Sequence, residues 1–317
     1  MIGSIKVVLK IFTIILLVIT ILLSAGFTYY LCINNKESKT ILAQTHFNIP
    51  YKETESSQLK LDIYMPTRKL FPKIPVLVYF HGGSWNSGSK RLKDSDLEIF
   101  NGFLEGGFAL VSVDYRLTDE TNKFPVQLDD GADSIRWLIK NAELYGLDKN
   151  KVNLIGASAG GQMVLMLGIS GDRFGDTSES VKLNIRSVVD LCGPTDFTDL
   201  SDYTPKAREE INALLLDFFG GTIQEMKDRY ELASPIYNIH KNSPPIFMAH
   251  GRLDDIVPIE QAEKFFQKAL SVNAKVKFVP VENVNHSFKA QGNLMSDPPL
   301  KDVIIAILIF LLKNNIF

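Results

Sequence analysis

Val152-Asn153-Leu154-Ile155-Gly156-Ala157-Ser158-Ala159-Gly160 decides how this chain reads. A short apolar run feeds a Gly-x-Ser-x-Gly pentapeptide, and residues 161–169 continue with the spacing of a helix. That strand, turn and helix display a serine on a sharp, strained turn, where side chains two positions before or after it would crowd. Gly156 and Gly160 supply the room. Alone the pattern is weak, because glycine is a common residue. Its neighbours along the chain give it weight.

On either side of this stretch, apolar runs alternate with helical patterns. Strands are expected at residues 59–65, 75–80, 108–114, 151–155, 185–191, 245–249 and 276–281. Helices are expected at 92–105, stopped by Gly106-Gly107, and from Pro125 to about Tyr145, ended by Gly146. Two more are expected at 259–270 and, as a closing core helix, at 303–312. Apolar rather than alternating strands, separated by helices, predict an α/β fold with a mostly parallel sheet covered on both faces. Residues 195–239 break the rhythm and read either as a small cap over a site or as a surface excursion.

The chain has 317 residues, is 45% hydrophobic and carries a net charge of only −2, with no basic block of the kind that binds nucleic acid. Cys32 and Cys192 form no disulfide framework and lack metal-site spacing; Cys192 reads as a small core residue. Residues 11–35 carry no charge and follow Lys6 and Lys10. Residues 11–33 are long enough to span a bilayer. They read as an uncleaved membrane anchor, with the main domain on the extracytoplasmic side and Tyr29 and Tyr30 at the far interface. The alternative is a secretory signal cut near Ser24-Ala25-Gly26. The expected organisation is an anchor at 1–35, a linker leading into a first strand at 36–58, and a catalytic domain at 59–317.

A serine hydroxyl needs a base, and the base needs a carboxylate to hold it. Three histidines follow Ser158: His240, His250 and His286. His286 sits in a polar turn after the last expected strand, where a loop at the carboxyl edge of a sheet delivers an imidazole. His250 precedes Gly251 and reads as structural, with the base as its alternative role. His240 and His46 read as surface residues. The acid comes from the loop after residues 245–249, where Asp254 and Asp255 are adjacent and periodicity does not choose between them. An oxyanion needs preorganised N–H donors. His81-Gly82-Gly83-Ser84-Trp85 follows a strand and offers them, and the N–H of Ala159 adds another at a helix start.

These residues resemble the α/β-hydrolase superfamily, in its esterase/lipase branch with a His-Gly-Gly-x-Trp motif, related to hormone-sensitive lipase and bacterial feruloyl and acetyl esterases. The resemblance covers the chain from about Leu59 onward. It rests on residues 81–85, Val113-Asp114-Tyr115-Arg116-Leu117, Phe124-Pro125 with Asp130, residues 156–161, His250-Gly251 with Asp254 and Val257-Pro258, and His286. It implies Ser158, Asp254 and His286 as a triad, with Asp254 rather than Asp255 as acid. It also implies the backbone of Gly83, Ser84 and Ala159 as oxyanion donors. Ser84 stands where many relatives have a third glycine. The expected activity is hydrolysis of a small-molecule ester through an acyl-enzyme, with no metal or organic cofactor. The alternatives are an amide or peptide hydrolase with the same triad, and a non-catalytic module of the same fold.

Overall fold

The run Ile-Pro-Val-Leu-Val-Tyr-Phe has no polar face, so a strand made from it must be covered on both sides. In the computed structural model, which describes residues 45–55, 57–178 and 181–316, it becomes β3 (Ile74–Phe80), at the middle of the sheet. Among the described residues eight strands form one sheet. The others are β1 (Thr45–Glu53), β2 (Gln58–Tyr64), β4 (Ala109–Val113), β5 (Leu147–Ala157), β6 (Ile185–Leu191), β7 (Ile246–Gly251) and β8 (Val276–Val281). Their spatial order is β1-β2-β4-β3-β5-β6-β7-β8. The β1–β2 and β2–β4 pairs are antiparallel, and the remaining pairs are parallel.

Alternation along each strand splits the core in two. Leu77, Ile155, Val189 and Phe247 face α1 (Asp94–Glu105) and α8 (Leu300–Ile316). Val78, Leu154, Val188 and Met248 face the other way, onto α2 (Val126–Asn141), α3 (Ala159–Ser170) and α7 (Ile259–Ser271). Each strand and helix expected between residues 59 and 312 is present. β5 begins at Leu147, ahead of the apolar run, and α8 extends past 303–312 at both ends.

Parallel pairing brings the carboxyl ends of the central strands to one edge, where ligand sites of such sheets lie. Phe80 pairs with Gly156, Gly156 with Asp190, and Leu191 with Ala249. The loops after β3, β5, β6 and β7 therefore leave side by side. Residues 195–239 rise from this edge as α4 (Pro205–Phe219), α5 (Lys227–Ala233) and α6 (Pro235–Asn238). They are packed: Phe197, Phe218 and Phe219 are buried. Farther off, Arg116 grips Asp130 at 2.8 and 2.7 Å, and Lys52 reaches the same carboxylate at 2.7 Å, tying β1 to α2.

The stretch 11–33, read as an anchor, lies outside the described residues. Among the described residues no helix is long and apolar enough to cross a membrane.

Asp190 sits inside the buried stretch of β6. Its Oδ1 accepts the Gly193 N–H at 3.0 Å, and its Oδ2 has no partner among the described residues. Burial pushes its pKa up to about 8, although the Gly193 bond pulls the other way. The native state therefore keeps a proton that the unfolded chain releases near pH 4. This contribution to stability is fully present below about pH 4 and is lost as pH rises toward about 8. Asp190→Asn keeps the acceptor for Gly193 and removes the titration. Thermal melts should show the variant gaining on the wild type as pH goes from about 5 to about 8.

Candidate active site

Ser158 stands between the end of β5 and the start of α3 with φ 56° and ψ −123°. L-residues avoid this conformation, and holding one there costs of order 1–3 kcal/mol. The neighbours explain how it persists. A Cβ on Gly156 would lie 2.2 Å from the Gly160 carbonyl oxygen, and a Cβ on Gly160 would lie 2.0 Å from that of Phe80. Only hydrogen fits at either position, as the pentapeptide requires. The Ser158 N–H donates to Leu191 O at 2.9 Å, and its carbonyl receives Gln162 N–H at 3.1 Å, so the turn is pinned on both sides.

The loop after β3 lies directly over this turn. A Cβ on Gly82 would come within 2.9 Å of Ala157 O and 3.4 Å of the Ser158 Cβ. Gly83, Ser84 and Trp85 all have positive φ, at 115°, 52° and 60°. The Gly83 carbonyl is held inside the loop by the N–H groups of Asn86 and Ser87 and by the Ser87 hydroxyl, at 3.1, 3.0 and 2.9 Å. A trans peptide points its C=O and N–H in opposite directions, so the Ser84 N–H is turned out of the loop. Among the described residues nothing accepts a hydrogen bond from the N–H of Gly83, Ser84 or Ala159.

Three residues brace the loop. His81 stacks on Tyr115 at 4.3 Å, and the Tyr115 hydroxyl donates to His81 O at 2.8 Å. Burial lowers the pKa of His81, so its ring stays uncharged at neutral pH. Trp85 donates through Nε1 to Gln162 Oε1 at 3.1 Å, anchoring the loop to α3. Its ring stacks on Phe218 at 4.4 Å and meets Phe197 edge-on at 5.6 Å. The segment 195–239 is thereby coupled to the Gly-Gly loop.

On the other side, His286 Nδ1 lies 2.7 Å from Asp254 Oδ2. Burial opposes the charge on Asp254, but hydrogen bonds from His250 and His286 outweigh it and hold its pKa down to about 2. Asp254 Oδ1 accepts the N–H groups of Ile256 and Val257 at 2.9 and 2.8 Å, which fixes the carboxylate plane. Asp255 is exposed. The two loops fit because position 251 is glycine; a Cβ there would lie 2.6 Å from Val284 O. Asp254 thus meets His286, and Asp255 does not.

His250 and Cys192 play parts that sequence reasoning passed over. His250 Nε2 lies 2.8 Å from Val257 O, which can only accept, so this nitrogen carries the proton. The same nitrogen is 3.1 Å from Asp254 Oδ2. It is committed to the loop that carries Asp254. Its position four residues before Asp254 in His-Gly-x-x-Asp was the available signal. Cys192, with φ 49°, lies against the Ser158 N–H and donates to His286 O at 3.5 Å, bridging the serine and histidine loops. Cys192, Asp254 and His286 cluster within 4.8 Å. The shortest pair in the cluster is a hydrogen bond, and burial raises the Cys192 pKa well above its usual value. A thiol kept protonated is neither a metal ligand nor a nucleophile. His240 and His46 lie away from this group, His240 being exposed and His46 packed on Tyr145.

The BD-FAE family model matches residues 61–269. The chain belongs to the BD-FAE family, whose members are α/β-hydrolase esterases. This BD-FAE chain is 26% identical over 238 residues to Esterase LipC of Mycobacterium tuberculosis (strain ATCC 25618 / H37Rv), covering 74% of this chain and 57% of LipC. It spans between 54% and 59% of the length of LipC, LipM and LipQ, three curated relatives that it matches. Its fold is similar to a truncated carbohydrate esterase from gut microbiota, with TM-score 0.70 and 24% identity over 88% of this chain and 99% of that one. It is also similar to esterase 2 of Thermogutta terrifontis phosphorylated by paraoxon, with TM-score 0.67 and 21% identity over 86% and 95%.

The loop's need for glycine is measurable. Gly83 combines φ 115° with a Cβ position 2.3 Å from Ser87 O, whereas Gly146 has φ 66° and open space around it. Gly146→Ala should cost about 1–2 kcal/mol from backbone strain alone. Gly83→Ala should cost clearly more, as read from urea unfolding midpoints.

Proposed function

We propose that this chain hydrolyses carboxylic esters through an acyl-enzyme on Ser158. The observation that carries the reading is the 2.7 Å bond between His286 Nδ1 and buried Asp254, beside a serine held on a strained turn. The Ser158 Oγ attacks the carbonyl carbon while His286 Nε2 takes its proton, and Asp254 stabilises the resulting imidazolium. The oxyanion faces the N–H groups of Gly83, Ser84 and Ala159. Collapse breaks the C–O bond, and the His286 proton goes to the leaving alkoxide. Water then gives its proton to His286 and attacks the acyl carbon. The acid leaves, and Ser158 recovers its proton.

Support also comes from LipC, which is named an esterase, and from LipM, a probable carboxylic ester hydrolase. The N–H groups of Gly83, Ser84 and Ala159, with no acceptor among the described residues, are what an oxyanion site offers. The segment 195–239 acts as a small cap, because Phe197 and Phe218 rest on Trp85 next to those donors. A membrane location rests on the sequence of residues 11–33 alone, and carbonate extraction of membranes from cells making the full chain tests it.

Ser158→Ala should lower p-nitrophenyl acetate turnover by on the order of a millionfold and abolish fluorophosphonate labelling, with the thermal melt retained. Asp254→Asn should cost about ten-thousandfold, and Asp255→Asn about twofold or less. Retained turnover in Ser158→Ala removes the nucleophile; a larger loss in Asp255→Asn reassigns the acid. Parallel anilide substrates separate ester from amide hydrolysis.

A further inference from the structure

His286 also lines a cavity of about 250 Å³ that the catalytic steps above leave unused. Ala157, Cys192 and His286 are among its lining residues. These are the residue before the elbow serine, the thiol beside it, and the histidine. Its walls come from the opposite layer: Phe100 and Ile99 of α1, and Ile304 and Ile307 of α8. Cys192 is a protonated thiol there, because burial raises its pKa. Tyr79, also in the lining, stays uncharged, since burial and then the Asp96 carboxylate push its pKa up to about 12. Asp96 is the one anionic side chain of the lining, held in the first turn of α1 by the Lys93 N–H at 2.8 Å. No lysine or arginine is among the lining residues.

We propose that this cavity receives the alcohol half of the substrate and selects esters of neutral, apolar alcohols, phenols included. The inference rests on the ester-hydrolase reading and deepens it. Three groups radiate from the attacked carbonyl carbon. The oxygen must face Gly83, Ser84 and Ala159, and neither Gly83 nor Ser84 lines the cavity. The alkoxy oxygen must lie within hydrogen-bond reach of His286 to be protonated as it leaves. Since His286 Nδ1 is taken by Asp254, that proton comes from Nε2. Of the triad and the oxyanion donors only His286 lines the cavity, which puts it on the side of the base, where the alkoxy group is protonated and leaves. Its apolar walls favour hydrocarbon, and Asp96 opposes an anionic alcohol.

The test uses the full chain and two ester series. One fixes the acetyl group and lengthens the alcohol from methyl to hexyl, with phenyl acetate added. The other fixes methanol and lengthens the acyl group over the same range. In the wild type, kcat/KM should rise about threefold to fourfold per methylene along the alcohol series until the cavity is full. Ile304→Trp, which fills the half-buried wall, should flatten that slope and leave the shape of the acyl series as it was. Ile99→Trp, at the exposed rim, gives the same readout if Ile304→Trp does not fold. Neutral butyl acetate should outpace an acetate ester of similar length whose alcohol ends in a carboxylate, because Asp96 repels the anion. A flat alcohol series in the wild type, or a Trp variant that changes the acyl series instead, overturns the assignment; a preference for the anionic alcohol overturns the selection against charge. Failure of the underlying reading looks different: fluorophosphonate labels Ser158, yet neither ester series turns over.

Discussion

Ser158 is held in a backbone conformation that an L-residue avoids, and the arrangement of the site follows from that constraint. The turn exists only because Gly156 and Gly160 have no side chains to collide with Gly160 O and Phe80 O. With the turn in place, Ala157 O and the Ser158 Cβ form the surface on which the Gly82 backbone rests. The Ser158 N–H reaches across to Leu191 O and aligns the end of β6. Strain at one residue is thus balanced by contacts from β3, β6 and α3, the over-determination that such a conformation needs.

The same logic of close approach governs Asp254 and His286. Gly251 lets the loop after β7 pass within contact of Val284 and Asn285, so a carboxylate and an imidazole from different loops meet at hydrogen-bond distance. Asp254 stays ionised inside the protein because its two oxygens are fully engaged, Oδ1 by backbone N–H groups and Oδ2 by the two histidines. A buried charge is tolerable only when satisfied in this way. Asp190, close by on β6, lacks such partners and responds in the opposite way, by keeping its proton.

Much of this was legible in the sequence because it depends on local pattern. Unbroken apolar runs mark the buried strands, and Gly106-Gly107 and Gly146 mark where helices stop. The glycines around Ser158 announce the turn itself. What periodicity could not supply depends on direction or on distant contacts. Asp254 and Asp255 are equivalent as letters; the turn that directs Asp254 Oδ1 at two N–H groups separates them. The stack of Trp85 on Phe218 joins residues far apart in the chain, so residues 195–239 read as cap or excursion with equal right. Asp190 hides within an apolar run, and the contact of His250 with Asp254 exists only once the turn between them closes.

The central claim is that a reacting group on Ser158 meets the N–H groups of Gly83, Ser84 and Ala159 on one side and His286 on the other. A crystal structure of the protein after reaction with a fluorophosphonate measures this directly. The account predicts the phosphoryl oxygen within hydrogen-bond distance of those three N–H groups, with His286 Nε2 beside the adduct. A phosphoryl oxygen turned to solvent, or His286 swung away from Ser158 toward other partners, would contradict it.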